Sequence, residues 1–253
     1  MRKSKMDDGA WWTETWNPVT GCLPEFPCWD NCWARRMAIR LAANPEVKLR
    51  DRYVGFRPTF WPERLHEPLR WRKKRRVFVV DMGDLFCKAV PSHWRDEIFS
   101  VMAVCQEHTF MLLTKRCDNL ERYWYYRRKA FGQVKNLTWP ENVWAGCSAW
   151  DKYSVNRASN ALSHLPEWVT KFLSIEPLFK MSELRQEDLV CVDWVVAGGE
   201  TGPRARPCTR GIVREIRDEC QRAGVPFWFK SWGSKSELKG RELDGRTWEE
   251  LPE

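Results

Sequence analysis

Residues 193–206 read DWVVAGGETGPRAR. A short apolar run is followed at once by two glycines, a glutamate and two arginines. A continuous β-branched and aromatic run of this length fits a strand buried on both faces, as parallel sheets require. Five other runs share the shape: RVFVV (76–80), TFMLLT (109–114), NVWAGCS (142–148), KFLSI (171–175) and VPFWFK (225–230). Helical periodicity lies between most of them. Trp94, Ile98, Phe99 and Met102 share one face, Val155, Ala158 and Leu162 a second, and Ile212, Ile216 and Cys220 a third, with Gly224 as a helix stop. A spacing of roughly 30 residues per unit is that of repeated βα units around a parallel sheet. TETWNPVTG (13–21) supplies a candidate first strand. The expected fold is α/β, a partial or irregular TIM-like barrel of six or seven βα units. An open doubly wound sheet is the alternative, because strand order is not written in the sequence.

The chain of 253 residues is long enough for one large domain, and a single domain over 1–253 is expected. Two segments break the βα rhythm. Residues 45–75 are rich in Pro and Arg with no clean period and read as an insertion over one face of the sheet. Residues 234–253 read as a C-terminal extension, with Asp244-Gly245 as the turn of a small hairpin. No apolar run approaches the ~18 residues of a membrane helix. The N-terminus, MRKSKMDDGAWWTETW, is basic without an apolar core, so no signal peptide is expected and the expected compartment is the cytoplasm. The formal charge of +8 favours an anionic partner, nucleic acid first. Most of the 17 tryptophans are expected in packing.

In parallel βα folds the loops at the carboxyl ends of the strands converge on the ligand site. The residues just past the apolar runs are Asp84, Lys115 and Arg116, Ser148, Glu176, Glu200 and Lys230. Charged groups at five of six such ends point to a functional mouth rather than a merely solvated rim. Gly198 and Gly199 allow close backbone approach to a ligand. Arg204 and Arg206 suit bidentate contacts with carboxylate or phosphate. Glu176, Glu200, Lys115 and Lys230 are the candidate catalytic groups, with a salt bridge as the competing role for Glu176. The run RWRKKRR (70–76) supplies Arg72, Lys73 and Lys74 as candidate phosphate contacts, with Arg116 as a further substrate contact.

The loop 20–34 contains CLPEFPCWDNCW, with Cys22, Cys28 and Cys32 spaced Cys-x5-Cys-x3-Cys ahead of a helix that Asp30 or Asn31 is expected to cap. A helix N-terminus favours thiolate, the metal-binding form. Structural zinc usually takes four protein ligands, and no fourth stands nearby. Cys87, Cys117 and Cys208 are candidate remote ligands, whereas Cys105, Cys147 and Cys220 read as buried thiols. Three local thiolates suit a [4Fe–4S] cluster with one iron open; zinc and free thiols are the alternatives.

Taken in order, TWNPVTGC…CWDNCWARRM, DMGDLF, LLTKR, NVWAGCS, LSIEPL, WVVAGGETGPRARP and VPFWFKSWG resemble the bacteriophage three-Cys-motif family of uncharacterised proteins, from about residue 11 to the C-terminus. That family is similar to radical S-adenosylmethionine (SAM) enzymes of the spore photoproduct lyase type. The resemblance implies a cluster on Cys22, Cys28 and Cys32, and SAM as cofactor. It implies Asp84 as anchor of the SAM amino group and Glu200 as a SAM or substrate contact, beside the candidate cofactor contacts Gly198, Gly199, Arg204 and Arg206. The usual radical SAM spacing is Cys-x3-Cys-x2-Cys with an aromatic before the last cysteine; here both gaps are longer and Asn31 takes the aromatic position.

Three functions compete. The first is an iron–sulfur enzyme of radical SAM type acting on a nucleotide or nucleic acid, with a partner protein as a further possibility. The second is a zinc-stabilised nucleic-acid-binding protein without catalysis, in which RWRKKRR and interleaved tryptophans form the track. The third is a barrel hydrolase using Glu176 and Glu200 as a carboxylate pair, which leaves the cationic strand ends unexplained.

Overall fold

The structure is a computed structural model and describes residues 10–25, 27–132, 138–178 and 184–253. The basic N-terminal stretch, residues 1–9, lies outside them. The chain packs as two compact units, Glu14–Val143 and Trp144–Glu253 together with the segment ending at Thr13. Among the described residues seven strands run parallel to their ladder neighbours. Among the described residues no helix is long and apolar enough to cross a membrane.

In the first unit β1 (Glu14–Trp16) is the first element. After it come β2 (Val19–Thr20), α1 (Trp33–Ala43), β3 (Thr59–Phe60), α2 (Pro62–Leu65), β4 (Arg76–Val79), α3 (Ser92–Val104), β5 (Thr109–Thr114) and α4 (Cys117–Phe131). The ladder β1–β4–β5 runs in sequence order, with Trp16 opposite Val79 and Val79 opposite Leu112. Trp16, Val77, Val79, Phe110 and Leu112 are buried in it. The expected first strand is thus two strands. Pro18 has no N–H to give a ladder, and β2 leaves to pair antiparallel with β3. The segment 45–75 does more than cover a face. Its Tyr53, Phe56 and Trp61 pack with Ala34 and Ala38 of α1, and Cys22, Trp29, Cys32 and Met82 lie against the same cluster. The 3-10 turn 50–56 delivers Tyr53 and Phe56, and Trp61 stands just ahead of α2, so neither a helix nor a strand period marks them. The α3 face is buried through Ile98, Phe99, Val101 and Met102, while Trp94 stacks on Phe60 at 5.2 Å between centroids.

The second unit holds β6 (Val143–Ala149), α5 (Lys152–Ser163), β7 (Lys171–Ile175), β8 (Trp194–Gly198), α6 (Arg210–Ala223), β9 (Phe227–Ser231) and the hairpin β10 (Glu242–Leu243) and β11 (Arg246–Thr247). Its ladder β6–β7–β8–β9 is also in sequence order. Neither ladder contains the order reversal of a doubly wound sheet. Every residue of β7 and β8 is buried, as continuous apolar runs require. Val155, Ala158 and Leu162 of α5 face inward. On α6 the buried residues are Val213, Ile216 and Cys220, with Val213 in place of the half-buried Ile212; Gly224 ends the helix at φ 69°. Asp244 and Gly245 adopt positive φ in the β10–β11 turn. Beyond it the buried Trp248 accepts from Phe229 N at 2.9 Å, tying the extension to β9. Trp11, Trp16, Trp61, Trp139, Trp194 and Trp228 are fully buried, so tryptophan here is mainly core.

Candidate functional site

The carboxyl ends of β1, β4 and β5 bring the cysteine loop to Asp84 and Arg116. Gly21 bridges Gly83 in parallel, and Gly21 N donates to Met82 O at 2.9 Å. A Cβ on Gly83 would stand 2.7 Å from Gly21 O, so the approach needs glycine. Asp84 is buried just past β4. Its Oδ1 accepts from Phe86 N (2.9 Å) and Thr114 Oγ1 (2.7 Å), and its Oδ2 from Lys115 N (3.3 Å) and Arg116 Nη1 (2.9 Å). Both oxygens therefore serve protein donors, and the product of that geometry is a fixed guanidinium. Arg116 Nη1 reaches Cys22 Sγ at 3.2 Å, while Nη2 donates to Leu23 O at 2.8 Å and stands 3.4 Å from Glu25 Oε2. Burial works against the Arg116 charge, but Asp84 and the thiols Cys22 and Cys87 outweigh it and hold the pKa above the ordinary arginine value. Arg116 is thus buried against the cysteine loop, held by Asp84.

Cys32, rather than Asp30 or Asn31, caps α1. Cys32 N donates to Trp29 O (3.2 Å), and this turn places Cys32 Sγ to accept from Arg35 N at 3.5 Å. Asn31 is drawn to Arg36 instead, whose Nη1 donates to its Oδ1 at 2.6 Å. Cys28 sits on the turn between, half-buried. Of the candidate remote cysteines, Cys87 is the one that acts on Cys22. Cys22, whose thiol donates to Leu23 O at 3.2 Å, is pushed up first by Cys87 and then by burial and Asp84. Cys87 is drawn down to about 6, first by Cys22, against its own burial and with help from backbone N–H groups and Arg116. Cys117 is buried at the start of α4. In the other unit burial raises the Cys208 thiol to about 11. Cys105, Cys147 and Cys220 are buried, as expected of apolar thiols.

The donor chemistry suits a thiolate-held group. Both Cys22 and Cys32 accept a hydrogen bond at sulfur, one from a guanidinium and one at a helix N-terminus, against an apolar wall. Among the described residues no three of His, Cys, Asp or Glu stand together at metal-holding distance, so the three sulfurs are not gathered.

The second unit has its own set of strand-end charges. Glu176 follows β7 and lies over Gly198, where a Cβ would come 2.3 Å from Glu176 Oε1. Lys230 Nζ is 3.1 Å from Glu176 Oε1, Ser174 Oγ donates to Oε2 at 3.3 Å, and Lys230 Nζ stands 5.7 Å from the Trp12 ring centre. The competing reading of Glu176, a salt bridge to a strand-end cation, is thus what the geometry contains. Glu200 is buried and accepts from Arg206 N (2.8 Å), Nε (2.9 Å) and Nη2 (2.8 Å), closing the loop 200–206 on itself. Gly199 abuts Trp232 O, where a Cβ would come to 2.2 Å, and Ser234 N donates to Glu200 O at 2.9 Å. Arg206 is committed to Glu200, while Arg204 is exposed on the same loop.

The basic run lies at the other end of the first unit's strands. Arg72, Lys73 and Lys74 are exposed and precede β4, at the amino ends, whereas Cys22, Asp84 and Arg116 stand at the carboxyl ends. Arg75 pairs with Glu14 at 2.6 Å and covers Trp71, whose ring also meets His108 at 5.4 Å. Trp71 is therefore occupied by packing. Sequence reasoning missed Thr114, Glu25, Ser174 and Trp12, polar or aromatic residues of ordinary type with no motif around them.

A mixed α/β protein of parallel strands, with thiols and charged pairs at the carboxyl ends, is the class this geometry defines. The chain belongs to the family described as Protein of unknown function (DUF5131), whose profile matches residues 8–252. No curated protein and no solved structure matches it.

Proposed function

We propose that this protein is an iron–sulfur enzyme of radical SAM type, with Cys22, Cys28 and Cys32 as ligands of a [4Fe–4S] cluster and a nucleotide or nucleic acid as substrate. The observation that carries the reading is the Asp84–Arg116–Cys22 chain: a buried carboxylate aims a guanidinium at one cysteine of the loop, at the ligand-binding end of parallel strands. When bound, the cluster would supply an electron for cleavage of SAM held at its open iron. The residues of the chain do the rest. Arg116 neutralises thiolate charge and fixes Cys22, the α1 N-terminus does the same for Cys32, and Phe56, Trp61 and Met82 exclude water. Closing the loop on a cluster requires Cys28 to come to the other two sulfurs. In the second unit Lys230 and Glu176 are the proposed polar contacts to substrate or cofactor, with Arg204 as a phosphate or carboxylate contact. In that unit Gly198, Gly199 and the Glu200–Arg206 clamp shape the loops that hold them.

The zinc reading has one observation in its favour, the fourth thiol of Cys87, which acts on Cys22. Metal and sulfide analysis of protein purified without oxygen separates the two. Iron with acid-labile sulfide and a brown colour is the expected result; stoichiometric zinc without iron would replace the cluster reading with the structural one. Unchanged cluster spectra at saturating SAM would remove SAM from the proposal.

A further inference from the structure

We propose that a single-stranded nucleic acid is held on the outer side of α1 and the 3-10 turn 50–56, with one base stacked on Trp33 at the edge of the cysteine loop. The proposal rests on the nucleic-acid substrate proposed above and names the surface that binds it.

Charge singles out the surface. Residues 33–57 carry seven Arg and Lys against Glu46 and Asp51, a net +5 out of the chain's +8. Three of the seven are engaged within the protein. Arg35 covers Trp29 at 5.1 Å, Arg36 donates to Asn31, and Arg52 pairs with Glu63 at 3.1 Å. Arg40, Lys48, Arg50 and Arg57 are exposed and make no ion pair among the described residues. They are carried by two elements packed on each other, α1 through Ala34 and Ala38 and the turn through Tyr53 and Phe56. Like charges gathered in this way repel, and a polyanion relieves them.

One aromatic ring stands out in the same surface. All 17 tryptophans are among the described residues; sixteen are buried or half-buried and Trp33 is exposed, at 44%. A ring left in water forgoes the large gain of burying it. Trp33 opens α1 directly after Cys32, which caps the helix. Arg40 lies seven residues on, two turns along the same outward stripe and about 10 Å away. On the other border of the loop, Cys22 N donates to Phe56 O at 2.9 Å, and the next residue, Arg57, packs its carbonyl against Gly21 with no room for a Cβ. Ring and cations thus adjoin Cys32 and Cys22, whereas Arg72, Lys73 and Lys74 lie at the amino ends of the strands. A base must be unpaired to stack on a side chain, so a single strand fits this surface and a duplex does not. A lipid surface would take the apolar side of an amphipathic helix, but that side of α1 is spent on Tyr53, Phe56 and Trp61.

The test uses the whole chain stripped of metal, so that its outcome does not depend on a cluster. Binding of a labelled oligothymidylate of about 15 nucleotides is measured at two salt concentrations. Arg40→Ala, Lys48→Ala, Arg50→Ala and Arg57→Ala together should lower affinity about tenfold or more at the lower salt. They should also flatten the salt slope by about 0.7 unit per lost phosphate contact. Trp33→Ala should cost about fivefold or more with the salt slope unchanged, and Trp33→Phe should restore most of the loss. Ultraviolet crosslinking of the wild type to a strand carrying iodouracil should mark the peptide that contains Trp33. Wild-type affinity in the quadruple variant would overturn the proposal, as would crosslinks confined to residues 70–76 or tighter binding of a duplex. Displacement of the strand by phosphatidylserine vesicles would assign the surface to a lipid partner instead. No binding of the strand by the wild type would remove both this surface and the nucleic-acid substrate, whereas zinc in place of iron touches the cluster reading alone. If the quadruple variant fails to fold, the wild-type crosslink decides.

Discussion

Two arginine–carboxylate pairs stand just past strand ends in this chain, and they do opposite things. In the unit 14–143, Asp84 binds Arg116 by one nitrogen and leaves the guanidinium with further N–H groups, which go to Cys22 and Leu23. In the other unit, Glu200 takes two side-chain nitrogens and the backbone N–H of Arg206 at once, so the loop holds itself. Both carboxylates are buried, but Arg116 is 8% exposed and Arg206 34%. A monodentate pair passes positive charge on to a third group, whereas a closed clamp consumes it in shaping a loop. Charged strand ends are therefore not equivalent as signs of a site.

The largest expected effect lies on the metal side of that contrast. Alanine at Cys22, Cys28 or Cys32 should each abolish iron binding and colour in protein prepared without oxygen, whereas alanine at Cys105 or Cys220 should leave both. Full iron content in any of the first three variants would break the assignment.

Next in size is the stability difference between the pairs. Arg116→Ala leaves Asp84 buried with its ion partner gone and should cost about 3–5 kcal/mol in urea unfolding. Arg206→Ala should cost about 1–3 kcal/mol, since the removed side chain borders solvent and water can replace it at Glu200. Equal costs would show that exposure does not separate the two pairs.

Two glycines sharpen the view of the second unit. A Cβ at Gly199 would meet the Trp232 carbonyl at 2.2 Å, and neither backbone can yield. At Gly198 the obstacle is Glu176 Oε1, the end of a side chain that can swing aside. Gly199→Ala should reach or exceed the upper end of the ~1–3 kcal/mol typical of overpacking, and Gly198→Ala the lower end. Gly198→Ala should also release Lys230 from Glu176, visible as a shift of the Lys230 amine resonance; an unmoved resonance would speak against the ion pair.

A smaller effect tests the basic run. Arg72→Ala, Lys73→Ala and Lys74→Ala together should weaken binding of single-stranded DNA of any sequence. The salt slope should fall by about one unit per lost phosphate contact, with iron content untouched. Equal affinity of triple variant and wild type at two salt concentrations would assign the run to solvent.

The smallest effect is an acid one at the tail. Hydrogen bonds from Arg214 and then Arg217 hold Asp244 down from 3.8 to about 2. A lowered carboxylate adds stability that is complete above the ordinary value and is lost as pH falls through about 2. The Asp244–Gly245 turn should therefore loosen between pH 4 and 2 in proton spectra of the hairpin, and Asp244→Asn should remove that pH step.

The sequence by itself determined the strands, since runs such as KFLSI and DWVVAGG must be buried on both faces and so announce a parallel sheet. It also placed Asp84, Glu176, Glu200 and Lys230 at strand ends, marked the Asp244-Gly245 hairpin, and set Cys22, Cys28 and Cys32 in one loop. Only the tertiary structure decided which charges hold one another. Nothing in the local sequence tells that Arg206 folds back on Glu200, while Arg116 reaches past Asp84 to a cysteine 94 residues away. The same holds for Cys87. Its neighbours DLFCKA give no sign that it acts on Cys22, because that depends on β1 and β4 lying side by side and on two glycines letting their extensions touch. Periodicity records how a residue is buried within its own element. Which side chains meet at the end of a sheet depends on strand pairing and loop path, and these are set by the packing of distant segments.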